Sequence, residues 1–518
     1  MDEPYYITTA INYPNGKPHI GHAYEAIAAD VLARFHRLEG RTVRFQTGTD
    51  EHGLKMARKA REEGCTPREL ADNMSQCFRE MADGLEISYD RFIRTVEPEH
   101  HTASQALWQA LERNGDLYLD RYEGWYSVRD EAFYDDAELT AGEGGERLSP
   151  QGTPVEWTVE ESWFFRLSRY QERLLQLYEE QPDFIAPAAR RNEMKAFVAA
   201  GLRDLSVSRT SFDWGVKVPG SEGHVMYVWV DALTNYLTGL GYPTETADYQ
   251  KFWPADLHLV GKDIVRFHAV YWPAFLMSAG LPLPRQIFGH GFVLNKGRKE
   301  SKSVGNVTDP LELAGRYGVD VLRYFLMREV QFGQDGSWSH DAIVTRGNAD
   351  LANSFGNLAQ RVFGFVYKNL DGRVERQQEL TSEDRSLLDG VKEACGECFP
   401  QHFRDLAINE ALDAWMQAVF ACNAYVDEQA PWALRKTDPD RMQTVLAVLC
   451  EAIRCLAIAI QPVIPRGAGK ALDVLQIAEG ERTYQAIRAG DIRQSFAILQ
   501  PEPIFPRFEL AESEVACA

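Results

Sequence analysis

Apolar and polar positions follow two different rhythms in the first fifty residues. The β-branched and aromatic run 5–10 predicts a short buried strand, and the polar and proline residues at 12–18 predict a turn after it. From 21 to 38 the apolar residues recur at helical spacing, and Gly40 is placed to end that helix. A second strand is predicted at 42–46. Strand, turn, helix and strand in this order begin a parallel sheet, whose ligands bind at the carboxyl ends of its strands.

The pattern of apolar and polar positions changes twice more along the chain. Residues 116–225 are rich in Tyr, Trp, Glu and Gly and lack the strand–helix alternation, which resumes at 225–230 with a strand at 256–260 and a helix at 264–279. We therefore expect an insertion between two halves of one nucleotide-binding domain. The remainder is helical in pattern, which predicts an antiparallel bundle. Its expected helices are 349–369, 382–398, 406–428 and 441–459.

These patterns predict an α/β fold with a Rossmann-type parallel-sheet domain, split by a connective insertion and followed by an α-helical bundle. The expected boundaries are 1–115 and 226–345 for the two halves of the sheet domain, 116–225 for the insertion, 346–499 for the bundle and 500–518 for an extended tail.

Composition narrows the class of protein without indicating a function. Of the 518 residues, 45% are apolar and 25% charged, as in folded globular proteins, which excludes disorder and collagen-like repeats. The net charge of −21 argues against non-specific coating of nucleic acid but permits a local basic site. The start is acidic, the eight cysteines are scattered, and no run approaches about 18 apolar residues. We therefore expect a reduced, cytoplasmic protein that does not span a membrane.

Two short motifs carry candidate chemistry, one in each half of the sheet domain. His19-Ile20-Gly21-His22 stands where the first predicted helix begins, and free amide groups and the helix dipole favour phosphate there. The missing side chain of Gly21 would let a flat base approach; the alternative is a polar helix start with satisfied histidines. Segment 296–306 holds four cations within seven residues and is either a solvated loop or a mobile loop that stabilises charge on a polyphosphate.

Together the two motifs resemble the HIGH and KMSKS signatures of the class I aminoacyl-tRNA synthetases. The first matches in full, and the second reads Lys299-Glu300-Ser301-Lys302-Ser303, with Glu300 where that family usually has Met. Within the class, the chain resembles the methionyl-tRNA synthetases over nearly its whole length, at segments 8–13, 48–53, 227–232, 261–268 and 429–432. The resemblance implies ATP-dependent activation of L-methionine to methionyl-adenylate with release of pyrophosphate. Transfer of methionyl to the 3′ end of tRNA(Met), for initiation and elongation, is implied to follow.

The resemblance also implies roles for individual residues. The expected catalytic residues are His19 and His22, on the ATP phosphates, and Lys299 and Lys302, on the leaving pyrophosphate. ATP, accompanied by Mg²⁺, is expected to contact Gly21, Glu25, Gly261, Asp263 and Val293. Methionine needs polarizable aromatic walls for its thioether and a carboxylate, Asp50, for its ammonium group. Its expected contacts are Ile11, Tyr13, Asp50, Trp229, Ala232, Tyr236, Phe267, His268 and Trp272, although an ordinary core stripe is the alternative for the aromatic residues.

Three further expectations concern tRNA, zinc and assembly. Asn357, Arg361 and Trp432 match the anticodon-reading positions of the family, where Trp432 would stack on an unpaired base; core packing is the alternative for Trp432. Many relatives carry zinc-binding cysteines where Ser127 and Asp130 stand here, so no structural zinc is expected. No further domain is recognised after the bundle, so a monomer is expected.

Two other functions remain open at this point. An adenylate-forming ligase would catalyse the same activation step but transfer the activated acid to a small amine instead of tRNA. The anticodon-like bundle argues against this function. A catalytically weak or inactive paralogue would bind RNA but activate amino acids slowly or not at all. Both histidines and both lysines of the motifs argue against that paralogue, and Glu300 is the one residue in its favour.

Overall fold

The computed structural model describes residues 3–127, 132–142, 145–295, 297–299, 307–489 and 492–509. Contacts divide the chain into two compact units. The first, the sheet unit, comprises residues 4–18 and 44–290, and the second, the helical unit, comprises residues 1–3, 19–43 and 291–518. Each unit is described by itself below.

The α-helices of the described residues lie in both units. In chain order they are α1 (Ile20–Leu38), α2 (Leu54–Glu63), α3 (Pro67–Gly84), α4 (Pro98–Arg113), α5 (Gln171–Glu180), α6 (Ala188–Ala199), α7 (Val228–Leu233), α8 (Asn235–Thr238), α9 (Ala247–Phe252), α10 (Trp272–Ala279), α11 (Pro310–Tyr317), α12 (Val319–Glu329), α13 (His340–Arg346), α14 (Asn357–Asn369), α15 (Ser382–Lys392), α16 (Phe399–Arg404), α17 (Ile408–Gln429), α18 (Pro431–Thr437), α19 (Pro439–Ile460), α20 (Pro465–Val474) and α21 (Tyr484–Arg488).

The strands of the described residues are mostly short. In chain order they are β1 (Pro4–Thr9), β2 (Thr42–Thr49), β3 (Arg91–Arg94), β4 (Leu117–Ser127), β5 (Ala132–Tyr134), β6 (Thr140–Ala141), β7 (Arg147–Leu148), β8 (Glu156–Phe165), β9 (Ile185–Ala186), β10 (Leu205–Ser206), β11 (Ser208–Arg209), β12 (Val225–Met226), β13 (Leu257–Gly261), β14 (Ile287–His290), β15 (Val293–Asn295), β16 (Arg298–Lys299), β17 (Gly336–Trp338), β18 (Arg373–Glu375) and β19 (Ser495–Ala497).

A six-stranded parallel sheet forms the centre of the sheet unit, in the order β3-β2-β1-β13-β14-β9. Its register is fixed by pairs such as Ile7 with Leu257 and Leu259 with Phe288. The central strands are buried on both faces, which explains their nearly continuous apolar sequence. The predicted strands at 5–10, 42–46 and 256–260 are confirmed, and so is the predicted α/β fold.

Within the expected insertion, four strands form a separate antiparallel sheet in the order β10-β8-β4-β5, whereas β9 from the same range joins the parallel sheet beside β14. The two long strands of the antiparallel sheet, β4 and β8, pair continuously from Leu117 with Phe165 to Tyr126 with Glu156. Trp157 and Val159 are more than half exposed on one face of this hairpin. The sheet therefore has one face towards solvent, as antiparallel sheets often do.

Helix α1 is embedded in the helical unit, where it contacts α12, α16 and β15. Asp30 on α1 forms an ion pair with Arg323 on α12, and both side chains are fully buried. The Phe35 ring lies 4.9 Å from the Phe403 ring and 5.7 Å from the Tyr484 ring. The helix that begins with the first sequence motif is thus part of the helical unit's core.

The bundle contains more helices than the sequence predicted. A π-helical segment, 393–398, joins α15 to α16, so the chain stays helical beyond residue 398, where the predicted helix ends. Helix α19 is long and apolar enough to cross a membrane by length and composition, but 94% of its apolar window is buried inside the bundle, as in a core helix. Four cysteines are also buried in this core, Cys395, Cys422, Cys450 and Cys455.

Candidate active site

The first motif forms the amino-terminal cap of α1. His19 is the N-cap residue, and its Nδ1 accepts a hydrogen bond of 3.0 Å from the Gly21 amide. The His22 Nδ1 in turn accepts one of 3.1 Å from the His19 amide, and the two rings lie 3.8 Å apart. A Cβ at residue 21 would stand 2.9 Å from the His19 ring, so Gly21 is needed for this arrangement as well as for any approach of a ligand.

The caps fix the orientation of both imidazoles. Because each Nδ1 accepts a backbone hydrogen bond, the proton of the neutral ring is on Nε2. Two Nε2–H donors thus stand at the amino-terminal end of a 19-residue helix, whose dipole also favours an anion. This end of α1 has the chemistry of a phosphate site.

Other predicted nucleotide residues lie in the same unit. Glu25 is buried on α1, and Val293 is buried on β15, which contacts α1. Strand β15 pairs with β16 through Leu294 and Lys299, so the Lys299 backbone lies one strand away from Val293. Lys302 and Glu300 lie outside the described residues.

The carboxyl edge of the parallel sheet gathers predicted residues of the sheet unit. The Asp50 amide, just after β2, donates to the Asn12 carbonyl at 2.8 Å, which holds the segment after β1 against the end of β2. Asp50 is buried. Gly261 ends β13, and a Cβ there would meet the Asp263 carboxylate at 2.8 Å. Ligands of parallel sheets bind at this edge.

Four of the predicted methionine residues form one group above this edge. Ile11 and Trp229 pack against Ala232 and Tyr227. The Trp229 and Phe267 rings stack at 3.5 Å with an interplanar angle of 12°. Both rings are half-buried, so this group presents apolar and aromatic surface.

Tyr236, His268 and Trp272 form a second, more deeply buried group. The Tyr236 hydroxyl and the His268 Nε2 are 2.7 Å apart, and the His268 Nδ1 donates to the Ile264 carbonyl at 2.9 Å. Burial lowers the pKa of His268 to about 4, so the ring is neutral and its Nε2 accepts from the tyrosine. Trp272 is fully buried, with its ring 6.0 Å from that of Tyr236.

Tyr13 belongs to neither of these two groups. It packs against the cluster of Met56, Ala60, Leu70 and Ala71 on α2 and α3. Its hydroxyl donates to the His52 carbonyl at 3.0 Å and accepts from the Met56 amide at 3.2 Å. The contacts of its ring therefore differ from those of the Trp229 group.

The sequence analysis missed a buried polar cluster beside these residues. Asp231 on α7 lies 2.6 Å from the His52 Nδ1 and 2.7 Å from the His100 Nε2. Burial opposes ionisation of Asp231, but the two histidines outweigh it and hold the pKa of its carboxyl below the ordinary value. His52 and Asp231 stand inside motif segments 48–53 and 227–232, but 179 residues separate them, and no local pattern indicates that they meet.

Arg209 was also missed. It is buried, and its guanidinium lies 3.9 Å from the centre of the Tyr227 ring. Tyr227 in turn packs in the group of Ile11, Trp229 and Ala232. The positively charged Arg209 side chain therefore lies against Tyr227, which packs with these predicted methionine residues.

Hydroxyl groups lie close together at the carboxyl end of β4 and in the segment that connects β4 to β8. Ser127 and Ser149 are both buried and lie 2.7 Å and 2.8 Å from the Thr153 hydroxyl. Asp130 lies outside the described residues. Among the residues that the structure describes, no group of three or more His, Cys, Asp or Glu side chains could hold a metal ion.

The predicted anticodon residues lie at the surface of the bundle. Trp432 begins α18 and is 46% exposed, so its role is not core packing. The Arg361 guanidinium lies 5.1 Å from the Trp432 ring and 2.6 Å from the Asp427 carboxylate. Asn357, four residues before Arg361 on α14, is partly buried.

Family comparisons agree with this architecture. A model of class I tRNA synthetases (M) matches residues 5–144 and 146–363, and a model of the anticodon-binding domain of methionyl tRNA ligase matches residues 374–513. The chain thus belongs to the class I aminoacyl-tRNA synthetases and has their fold.

Individual relatives show which family of this class the chain belongs to. The chain is 57% identical to the methionine–tRNA ligase of Brucella suis biovar 1 over 512 residues, 99% of each chain. The structure of Mycobacterium tuberculosis methionyl-tRNA synthetase in complex with methionyl-adenylate is 54% identical, has a TM-score of 0.95 and aligns over 98% of this chain and 100% of its own. The apo form of the same enzyme gives 50% identity and a TM-score of 0.89 over 99% of each chain. The chain belongs to the methionine–tRNA ligase family, and neither alternative function has support from these relatives.

Proposed function

We propose that this chain activates L-methionine with ATP to methionyl-adenylate, releases pyrophosphate and transfers the methionyl group to the 3′ end of tRNA(Met). The observation that carries the proposal is the full-length similarity, at 54% identity, to an enzyme whose structure holds methionyl-adenylate. The buried aromatic groups and the capped start of α1 are the local features that suit this chemistry.

ATP enters as its magnesium complex. His19 and His22 donate from Nε2 to phosphate oxygens, and the positive end of the α1 dipole favours the same charge. Lys299 and Lys302 stabilise the charge that develops on the leaving pyrophosphate. Contacts with the nucleoside are assigned to Gly21, Glu25, Gly261, Asp263 and Val293, as the resemblance implies.

Methionine binds to the apolar and aromatic groups at the carboxyl edge of the sheet. Asp50 holds its ammonium group, and Trp229 and Phe267 offer polarizable faces to the thioether. The two groups described above supply the other contacts, Ile11, Ala232, Tyr236, His268 and Trp272, and Tyr13, which packs against α2 and α3, supplies one more. One methylene changes binding in such a pocket by only about 1–3 kcal/mol, so homocysteine is activated as well and must be rejected afterwards.

tRNA is read by the bundle. Trp432 stacks on an unpaired anticodon base, while Asn357 and Arg361 form hydrogen bonds to base edges. Arg361 already lies over the indole, so a base and a guanidinium share the ring's two faces.

The hairpin of the insertion needs no structural zinc. The buried Ser127, Ser149 and Thr153 hydroxyls satisfy one another where thiolates would have to stand. The chain acts as a monomer in the cytoplasm, which light scattering of the purified protein would test directly.

The decisive test is ATP–pyrophosphate exchange with each proteinogenic amino acid in turn, in the presence of a zinc chelator. We expect exchange with methionine and no loss on chelation. A Lys302→Ala variant is expected to slow exchange while leaving the Kd for methionine unchanged. No exchange with methionine would contradict the proposed function, and loss on chelation alone would contradict only the zinc-free hairpin.

A further inference from the structure

We propose that Asp231 is a positioning residue for methionine activation, which holds together three segments that carry the predicted methionine contacts. The inference rests on the proposed function. It concerns a carboxylate that is fully buried, that lies between two histidines and that is not itself among the predicted contacts.

The first connection runs from Asp231 to the end of β2. His52, bonded to Asp231 at 2.6 Å, follows Asp50 by two residues. The same short segment is fixed on its other side by Arg94, which donates to both oxygens of the buried Glu51 carboxylate at 2.7 Å. Moving the His52 ring would therefore strain the segment that carries Asp50.

The second connection runs from His52 to Tyr13. The Tyr13 hydroxyl donates to the His52 carbonyl at 3.0 Å, so the backbone that Asp231 anchors also sets the position of that ring. The His52 ring is enclosed by edge-to-face contacts with Trp214 and His101, at 5.5 Å and 5.3 Å. These contacts leave little room for another orientation.

The third connection is α7 itself. Asp231 lies two residues after Trp229 and directly before Ala232, so its bonds fix the rotation of the helix that presents both. On the far side, His100 lies 3.0 Å from the Thr238 hydroxyl of α8, the helix that carries Tyr236. His100 thus lies between the Asp231 carboxylate, which accepts from its Nε2, and the Thr238 hydroxyl at its Nδ1.

One carboxylate thus joins the segment after β2, helix α7 and, through His100, helix α8 in a low-dielectric interior, where an unpaired partner is costly. An Asn at 231 would keep the shape but lose the charge that two imidazole donors require. The expected consequence of the substitution is a displaced methionine pocket.

The test is steady-state ATP–pyrophosphate exchange on the full chain, with the KM for methionine and the KM for ATP measured separately. We expect Asp231→Asn to raise the KM for methionine about 10- to 100-fold, the usual worth of a charge-assisted hydrogen bond, with the KM for ATP nearly unchanged. Asp384→Asn is the matched control, because Asp384 is an equally buried carboxylate bonded to Tyr425 and Arg441 within the bundle. That variant is expected to lose stability without a change in the KM for methionine.

A pair of His52 variants keeps the test decisive if Asp231→Asn does not fold. The amide of His52→Asn can stand near the Nδ1 position and keep the bond to Asp231, whereas His52→Ala cannot. We expect His52→Ala to raise the KM for methionine and His52→Asn to restore most of it. Equal losses in both variants, or parallel rises in the two KM values, would overturn the positioning role. Absence of methionine-dependent exchange in the unaltered chain would instead overturn the proposed function.

Discussion

Arg323 Nη2 lies 2.6 Å from Asp30 Oδ2, and neither side chain is exposed to solvent. Arg323 also donates to the carbonyls of Pro462 and Val463, at 2.9 Å and 3.0 Å. The pair therefore ties the helix that begins with His19 to α12 and to the turn that follows α19.

Replacing Arg323 with Met is expected to lower the free energy of unfolding by about 1–3 kcal/mol, because the buried Asp30 loses one ion pair and keeps the one with Arg34 at 2.7 Å. Asp30→Asn with Arg323→Met should lose less than the two single variants added together. Denaturant unfolding of the helical unit measures both. Strict additivity would mean that the two side chains do not interact.

His19→Asn separates the two roles of the first histidine. The Asn side chain keeps an acceptor for the Gly21 amide but removes the Nε2 donor, so we expect an unchanged Tm and an exchange rate lower by about 100-fold or more. His19→Ala should show the same rate loss and, in addition, about 1 kcal/mol less stability. A fully active Asn variant would show that the Nε2 donor has no part in the reaction.

Trp432→Ala is expected to raise the KM for tRNA about 5- to 100-fold, which corresponds to the loss of one base-stacking contact. Methionine-dependent pyrophosphate exchange, which needs no tRNA, should be unaffected. Trp432→Phe serves as the matched control because it keeps a stacking face. If exchange also collapsed in the Ala variant, Trp432 would be a structural residue.

The protein is expected to lose stability as the pH falls from about 6.5 towards 4. Burial lowers the pKa of His36 to about 3 and that of His268 to about 4, and it lowers the pKa of His258 well below the ordinary value. In the unfolded chain the same rings titrate near 6.5, so below that pH the unfolded state binds more protons than the folded state.

The Tm measured between pH 7.5 and 4.5 tests this expectation. His36→Gln should flatten the pH dependence by up to a few kcal/mol at the acid end. His340→Gln, at an exposed histidine, is the control. An unchanged slope in His36→Gln would show that this ring is not the acid-sensitive group.

The elements nearest the first motif were predictable because their signals are local. Strand β1 is a β-branched run, α1 has helical spacing, and Gly40 adopts the positive φ of 88° that ends such a helix. The segment 225–230 was harder to interpret. It yields only a two-residue strand before α7 begins at Val228, since the apolar run is buried whichever element it forms.

The contacts between distant residues could not be predicted in this way. The sequence places Tyr13, Trp229 and Trp272 in one set, and the structure gives them three different surroundings. Asp231 and His100 are 131 residues apart, and each alone resembles any polar residue on a helix. The bonds that hold the candidate site in shape are therefore visible only once the fold has brought these residues together.

The thiols of the bundle core offer a built-in reporter of its opening. Cys395, Cys422, Cys450 and Cys455 are buried, and burial raises the pKa of each thiol, so none presents a thiolate to a reagent in the folded state. Cys65, Cys77 and Cys398 are only partly buried. An alkylating reagent should therefore label the second set first, and the rate at which it reaches the first set records how often the helical bundle opens.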